Sequence, residues 1–209
     1  MRINSKGKKF NFSAQLTFYD QLLSTLAYSA YASLALFIQI FSSVRIIKTM
    51  EEPNFVLTAK YSLLTICFCN IYDFYRTMAH IQYVMGGESG SLFFIVPGLA
   101  SLVLFIVFDM KMLFLIWRSQ NLAVMNEPQQ LRKKLTSFYI KFYLGLFLFL
   151  TLNFFFADEE LMIIASHFFL LPQIAHNIRL GQKPNFSFYY LFGYIGSRYM
   201  ILIYERGCP

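Results

Sequence analysis

The sequence has few charged residues, and this scarcity indicates the class of protein. Charged residues make up 14% of the 209 residues, whereas hydrophobic residues make up 57% and aromatic residues 19%. Soluble domains usually carry about a quarter charged residues. The charges fall in short clusters between apolar runs, and these runs are long enough to cross a bilayer, which takes about 20 residues. The composition therefore excludes an ordinary soluble domain and predicts an all-α fold, a polytopic transmembrane helical bundle.

Cysteine pairs and catalytic motifs are also missing. Cys67 and Cys69 form a C-x-C motif within an apolar run, Cys208 is next to last, and no C-x-x-C set is present that could build a zinc finger. The sequence has no H-E-x-x-H motif, no glycine-rich phosphate loop and no G-x-S-x-G motif. We therefore expect no metal, no cofactor and no catalytic residue in this chain.

The basic residues predict a topology rather than a nucleic-acid partner. The net charge is +7, but no basic-aromatic nucleic-acid motif is visible. Six spans are predicted, at about residues 19–44, 58–82, 91–117, 135–155, 161–178 and 186–204, after a basic segment 1–18 that we expect at the membrane surface. The loops after spans one, three and five are basic, which places them in the cytosol and both termini on the lumenal or external side. The basic N-terminal segment runs against this rule.

Ionisable side chains inside the predicted spans are candidate site residues, because their insertion costs about 2.5–3.5 kcal/mol each. Counted from the predicted span ends, Asp73, His167 and Arg198 lie at similar depths, and Asp109 lies nearer the cytosol, about 12 Å in. One interpretation is a polar site for a ligand or for a substrate's membrane segment. The other is an ion pair that orders the bundle, either Asp73–Arg198 or the local pair Asp73–Arg76.

The fifth span contains a Pro-Gln pair followed by an asparagine one turn later. Pro172 predicts a kink in this helix, and Gln173 and Asn177 share one helix face. We expect the kink to shape a cavity on the cytosolic side that both amides line. A Pro-Gln pair is also typical of PQ-loop transporters, although the sequence shows no convincing internal repeat.

Several segments resemble one family in order and spacing. These segments are Gln39 followed by a basic turn at residues 45–50, Asp73 late in the second helix, "FDMKMLFLIW", "LRKKLTSFYIKFY", and the closing "PQIAHNIRLGQKPNFSFYYLFGYIGSRYMILIYERGCP". Together they resemble the membrane domain of the Tul / FLYING SAUCER transmembrane RING ubiquitin ligases, over about residues 28–209. The proline near the end of the family's closing motif is replaced here by Leu202 or a neighbour.

The resemblance implies a membrane domain that recognises substrates or partners in endomembranes such as the Golgi, next to a cytosolic RING. The expected partners are the lipid bilayer and other membrane proteins, as substrates or complex subunits. The family's lumenal region and RING are not in this sequence. The chain is then either part of a longer protein or a shortened relative without ligase activity. The alternatives are a PQ-loop-like transporter of small molecules and a structural subunit of a larger membrane complex.

Overall fold

The all-α prediction is confirmed by the structure, a computed structural model that describes residues 4–51, 58–87, 90–122, 127–156, 168–181 and 187–207. Within these ranges the chain forms helices and turns, and no strand occurs. The elements are α1 (Asn4–Glu51), α2 (Leu63–Met85), α3 (Ser91–Gln120), α4 (Pro128–Phe156), α5 (Leu171–Leu180, after a 3₁₀ turn at Phe168–Leu170) and α6 (residues 189–207).

Helix α1 is longer than the first predicted span. Its 48 residues extend about 72 Å at 1.5 Å per residue, more than twice the thickness of a bilayer's hydrocarbon core. Residues 4–18 continue the same helix instead of forming a separate element. The surface location of this segment stays a prediction.

Among the described residues, three helical segments are long and apolar enough to cross a membrane: Asp20–Glu51 in α1, Ser91–Gln120 in α3 and Pro128–Leu152 in α4. They match the first, third and fourth predicted spans. The 23 residues of α2 are long enough, but Asn70, Asp73, Arg76 and His80 lower their hydropathy. Helix α5 has only ten residues, about 15 Å. The count of six spans therefore stays a prediction.

In the described part of the chain, two apolar clusters form the interior of the bundle. The larger joins the end of α1 (Ile46, Ile47, Met50) to α2, α3, α4 and α6, where it includes Ile66, Cys69, Met112, Leu113, Ile116, Phe142, Tyr190 and Tyr194. The smaller joins Ala32 and Ala35 of α1 to Ile201 of α6. Along α1, Gln39 lies between the two clusters. A polar layer is thus enclosed by apolar side chains on both sides.

Helices α1 and α6 approach each other very closely at one point. A Cβ atom built on Gly193 would lie 1.8 Å from Ser42 Oγ and 2.5 Å from Ser42 Cβ. Small residues at a helix contact let two backbones approach in a membrane, where dispersion and hydrogen bonds rather than hydrophobic burial drive association. This contact brings the first and last helices together beside the polar layer.

Candidate functional site: a buried charge layer

The charged residues of three helices meet in the middle of the bundle. Asp73 is the eleventh of the 23 residues of α2. Measured along the helices, Asp73 lies about 15 Å from the start of α2, Asp109 about 16 Å from the end of α3, and Arg198 about 14 Å from the start of α6. All three, together with Gln39 of α1, are 0% exposed. We call Gln39, Asp73, Asp109, Tyr194 and Arg198 the charge layer.

Asp73 is the best-satisfied acid of the charge layer. Its Oδ2 accepts a hydrogen bond from Arg198 Nη2 and another, of 2.9 Å, from Gln39 Nε2. A charge-assisted hydrogen bond is roughly twice as strong as one between neutral groups. Because the three side chains come from α1, α2 and α6, these two bonds hold three helices in one register.

Asp109 adds a second carboxylate to the same guanidinium. Its Oδ1 lies 3.9 Å from Arg198 Nη2 and accepts a 3.2 Å hydrogen bond from Tyr194 Oη. The other amino group of Arg198 donates to the carbonyl oxygen of Tyr194, and the guanidinium carbon lies 3.9 Å from the centre of the Tyr194 ring. Arg198 therefore serves two carboxylates and one aromatic face, which suits the planar, multiply donating guanidinium.

The structure selects one of the two predicted ion pairs. Asp73 pairs with Arg198, whereas the three guanidinium nitrogens of Arg76 have no hydrogen-bond partner among the residues that the structure describes. Arg76 lies over the Tyr72 ring, 5.8 Å from its centre. The Asp73–Arg198 pair connects α2 to α6, whereas a pair between Asp73 and Arg76 would lie within α2 and connect no two helices.

Two π-helical segments adjoin the charge layer. Asp109 is the last residue of the π segment Leu104–Asp109 in α3, and Tyr194 lies in the π segment Tyr189–Ile195 of α6. Such segments are rare and occur frequently at functional sites. The wider turn rotates the residues that follow it, and here Asp109 and Tyr194 form a hydrogen bond across the two helices.

The Pro-Gln pair lies at the start of α5 and contacts the turn before α2. Pro172 lies in the first turn of α5, where its missing N–H has no helical partner to lose. Gln173 is buried; its Oε1 accepts from Ser62 N at 2.8 Å, and its Nε2 donates to Lys60 O at 2.9 Å and to Asn177 Oδ1 at 3.1 Å. One side chain thus ties α5 to the backbone just before α2.

The structure brings together most of the predicted site residues and separates them into two groups. Gln39, Asp73, Asp109 and Arg198 belong to the charge layer, whereas Pro172, Gln173 and Asn177 belong to the α2–α5 junction. His167 lies outside the described residues. Asp109 lies farther from the helix end than the predicted 12 Å, because α3 runs on to Gln120, past the predicted end of the third span.

Tyr194 is the member of the charge layer that sequence reasoning missed. The chain has 14 tyrosines and 25 phenylalanines, so an aromatic residue does not by itself indicate a functional site. The position of Tyr194 does indicate the site, because Tyr194 precedes Arg198 by four residues and therefore shares its helix face.

The chain matches one protein family over most of its length. Residues 21–209 match the family described as "Transmembrane E3 ligase/DUF2921 transmembrane domain". The chain belongs to this family. The match confirms the resemblance to transmembrane ubiquitin ligases and makes this chain a transmembrane domain of the E3 ligase-like type.

Two curated relatives support the assignment to the transmembrane E3 ligase family. The chain is 26% identical over 183 residues to "Transmembrane E3 ubiquitin-protein ligase FLY1" from Arabidopsis thaliana. The aligned region covers 86% of this chain and 32% of the relative. The figures for FLY2 from the same organism are 26% over 183 residues, 86% and 33%. The chain thus spans about a third of the length of these relatives. No solved structure matches it.

Proposed function

We propose that this domain recognises and scaffolds other membrane proteins inside the bilayer, as the membrane-embedded part of an endomembrane protein of the ubiquitin-ligase type. The observation that carries the proposal is the complete burial of the charge layer. Asp73, Asp109 and Arg198 are 0% exposed and contact one another or Tyr194. Charges enclosed in this way stabilise one arrangement of helices, which leaves the outer faces to meet partners.

The outer surface of α1 offers a regular face for such contacts. Leu34, Phe37, Ile38 and Phe41 are exposed and recur at i, i+3, i+4 and i+7, so they form one stripe along the helix. We call these four residues the α1 stripe. The ring of Phe41 lies 6.2 Å from that of Tyr189, so the apolar surface continues onto α6. This apolar stripe offers large side chains for van der Waals packing against the transmembrane helix of another protein.

Site-specific photo-crosslinking in the native membrane tests the proposal. A photoreactive amino acid replaces Phe37 or Phe41 of the α1 stripe, and Ile106, which is 57% exposed on α3, serves as the matched position on another face. We expect both positions of the α1 stripe to give adducts with the same membrane proteins and Ile106 to give lipid adducts. Lipid adducts alone at all three positions would overturn the proposal.

A flux assay on purified protein distinguishes recognition from transport. Reconstituted protein is assayed for flux of labelled small solutes, with Asp73→Asn as the variant that changes the charge layer. Recognition through the outer faces predicts no flux in either protein. A flux that requires Asp73 would favour the transporter alternative instead.

A further inference from the structure

The outer surface of α4 carries a cavity, widely open to the surroundings and lined by this one helix, that the proposed partner recognition does not use. Its volume is about 680 Å³, and it is lined mainly by Arg132, Lys133, Thr136, Ser137, Ile140 and Lys141. All six residues are exposed. They recur every three or four residues, so they occupy one face of the helix. We call this cavity the α4 basic cavity.

The chemistry of the α4 basic cavity selects an anion. Three of its side chains are cations, two are hydroxyls, and no lining residue is acidic. Guanidinium and ammonium groups with neighbouring hydroxyls are the donors that bind phosphate oxygens. Proximity to the membrane matters as well, because a cluster of basic residues at the cytoplasmic end of a transmembrane helix is typical of contacts with anionic lipid.

The residues below the cavity suit an acyl chain. Ile140, Leu144 and Phe147 follow the same face of α4 toward the middle of the helix, and all three are exposed. Phe142 and Leu146, which are buried, point to the bundle from the other side of the helix. Only 11% of the most apolar stretch of α4 is buried in the bundle. The face that carries Ile140, Leu144 and Phe147 is therefore open along its length.

We propose that the α4 basic cavity binds the headgroup of an anionic phospholipid whose acyl chain lies along Ile140, Leu144 and Phe147. A basic surface continuous with an apolar stripe matches the two parts of such a lipid, whereas a soluble anion would use only the basic part. The predicted topology places this end of α4 in the cytosolic leaflet, where anionic lipids are concentrated. The inference is independent of the partner recognition proposed above.

The test compares two neighbouring lysines. Purified protein is reconstituted in nanodiscs of phosphatidylcholine with a small fraction of phosphatidylserine, and phosphatidylserine retained by the protein is counted by native mass spectrometry. Lys133→Gln removes a cation that lines the cavity, and Lys134→Gln removes an exposed cation of the same helical turn that does not. We expect Lys133→Gln to weaken retention about fivefold, the effect of one lost basic contact, and Lys134→Gln to weaken it less than about twofold.

The outcomes separate a site from diffuse attraction. Equal losses for Lys133→Gln and Lys134→Gln would overturn the site, because any basic residue near the membrane would then serve. Soluble glycerophosphoserine added at the concentration of the lipid should not compete, since it lacks the acyl chain. Competition as strong as that of the lipid would replace the proposed lipid with a free anion. Circular dichroism of both variants checks that they fold like the parent.

Discussion

Replacing Arg198 by methionine tests whether the charge layer holds the bundle together. The substitution keeps an unbranched apolar stem and removes the only cation that contacts Asp73 and Asp109 in the charge layer. Two carboxylates would then share the interior with no opposite charge. Removing one partner of a buried ion pair costs about 3–5 kcal/mol, because the remaining charge stays buried without compensation.

Replacing the acidic partner, Asp73, by asparagine should lower the free energy of unfolding by less. In Asp73→Asn, Arg198 keeps its bond to the carbonyl oxygen of Tyr194 and lies 3.9 Å from Asp109, so its charge retains a partner. We expect a loss of about 2–3 kcal/mol, the value of a hydrogen bond to a charged group. Because both substitutions remove the same pair, the double variant should lose about 2 kcal/mol less than the sum of the two single losses.

The free energy of unfolding can be followed through one buried thiol. Cys69 is 0% exposed in the larger apolar cluster, so a thiol-reactive dye labels it only when the bundle opens. The measurements use a Cys67→Ser, Cys208→Ser background in mixed micelles with increasing denaturing detergent. Simple additivity of the two losses, or a larger loss for Asp73→Asn than for Arg198→Met, would refute this account of the charge layer.

Three further predictions concern single contacts and use the same assay. Gly193→Ala should destabilise the bundle by about 1–3 kcal/mol through overpacking against Ser42, and Ser42→Gly should recover part of this loss. Gly145→Ala is the control: its new Cβ would meet no neighbouring side chain within 4 Å, so it should be neutral or stabilising. Gln173→Ala should cost about 1–3 kcal/mol because it leaves buried backbone groups before α2 without a partner; an unchanged midpoint would contradict the α2–α5 junction. Tyr194→Phe keeps the ring over the guanidinium and loses one hydrogen bond, so a loss near 1 kcal/mol is expected, and a loss as large as that of Arg198→Met would be inconsistent with it.

The helices were predictable because an apolar run long enough to cross a bilayer has few alternatives to a helix. The helix ends were not, since loops and spans differ gradually in composition. The inaccurate helix ends gave inaccurate depths for the charged residues. Counting from residue 58 placed Asp73 about 22 Å deep, whereas α2 begins at Leu63 and places it about 15 Å deep. With the observed ends, Asp73, Asp109 and Arg198 fall into one layer.

The choice of partners was harder to predict than the layer itself. Asp73 has a local cation at Arg76 and a distant one at Arg198, and only the packing of α2 against α6 decides between them. The contact of Gly193 with Ser42 depends on the packing of α6 against α1, and the contact of Gln173 with the backbone before α2 depends on the position of α5. Composition and periodicity describe one helix at a time and therefore carry no information on which helices approach.

The charge layer and the basic residues of α4 should act independently. Asp73 and Arg198 are enclosed, so their substitution changes the stability of the bundle and leaves its surface unchanged. Lys133 is exposed on the outer face of α4, so its substitution changes what the surface binds and leaves the core unchanged. Lys133→Gln should therefore keep the denaturation midpoint while losing phosphatidylserine. The refolded Asp73→Asn variant should keep phosphatidylserine while its midpoint falls. A common loss of both properties in either variant would mean that the α4 basic cavity and the charge layer are coupled.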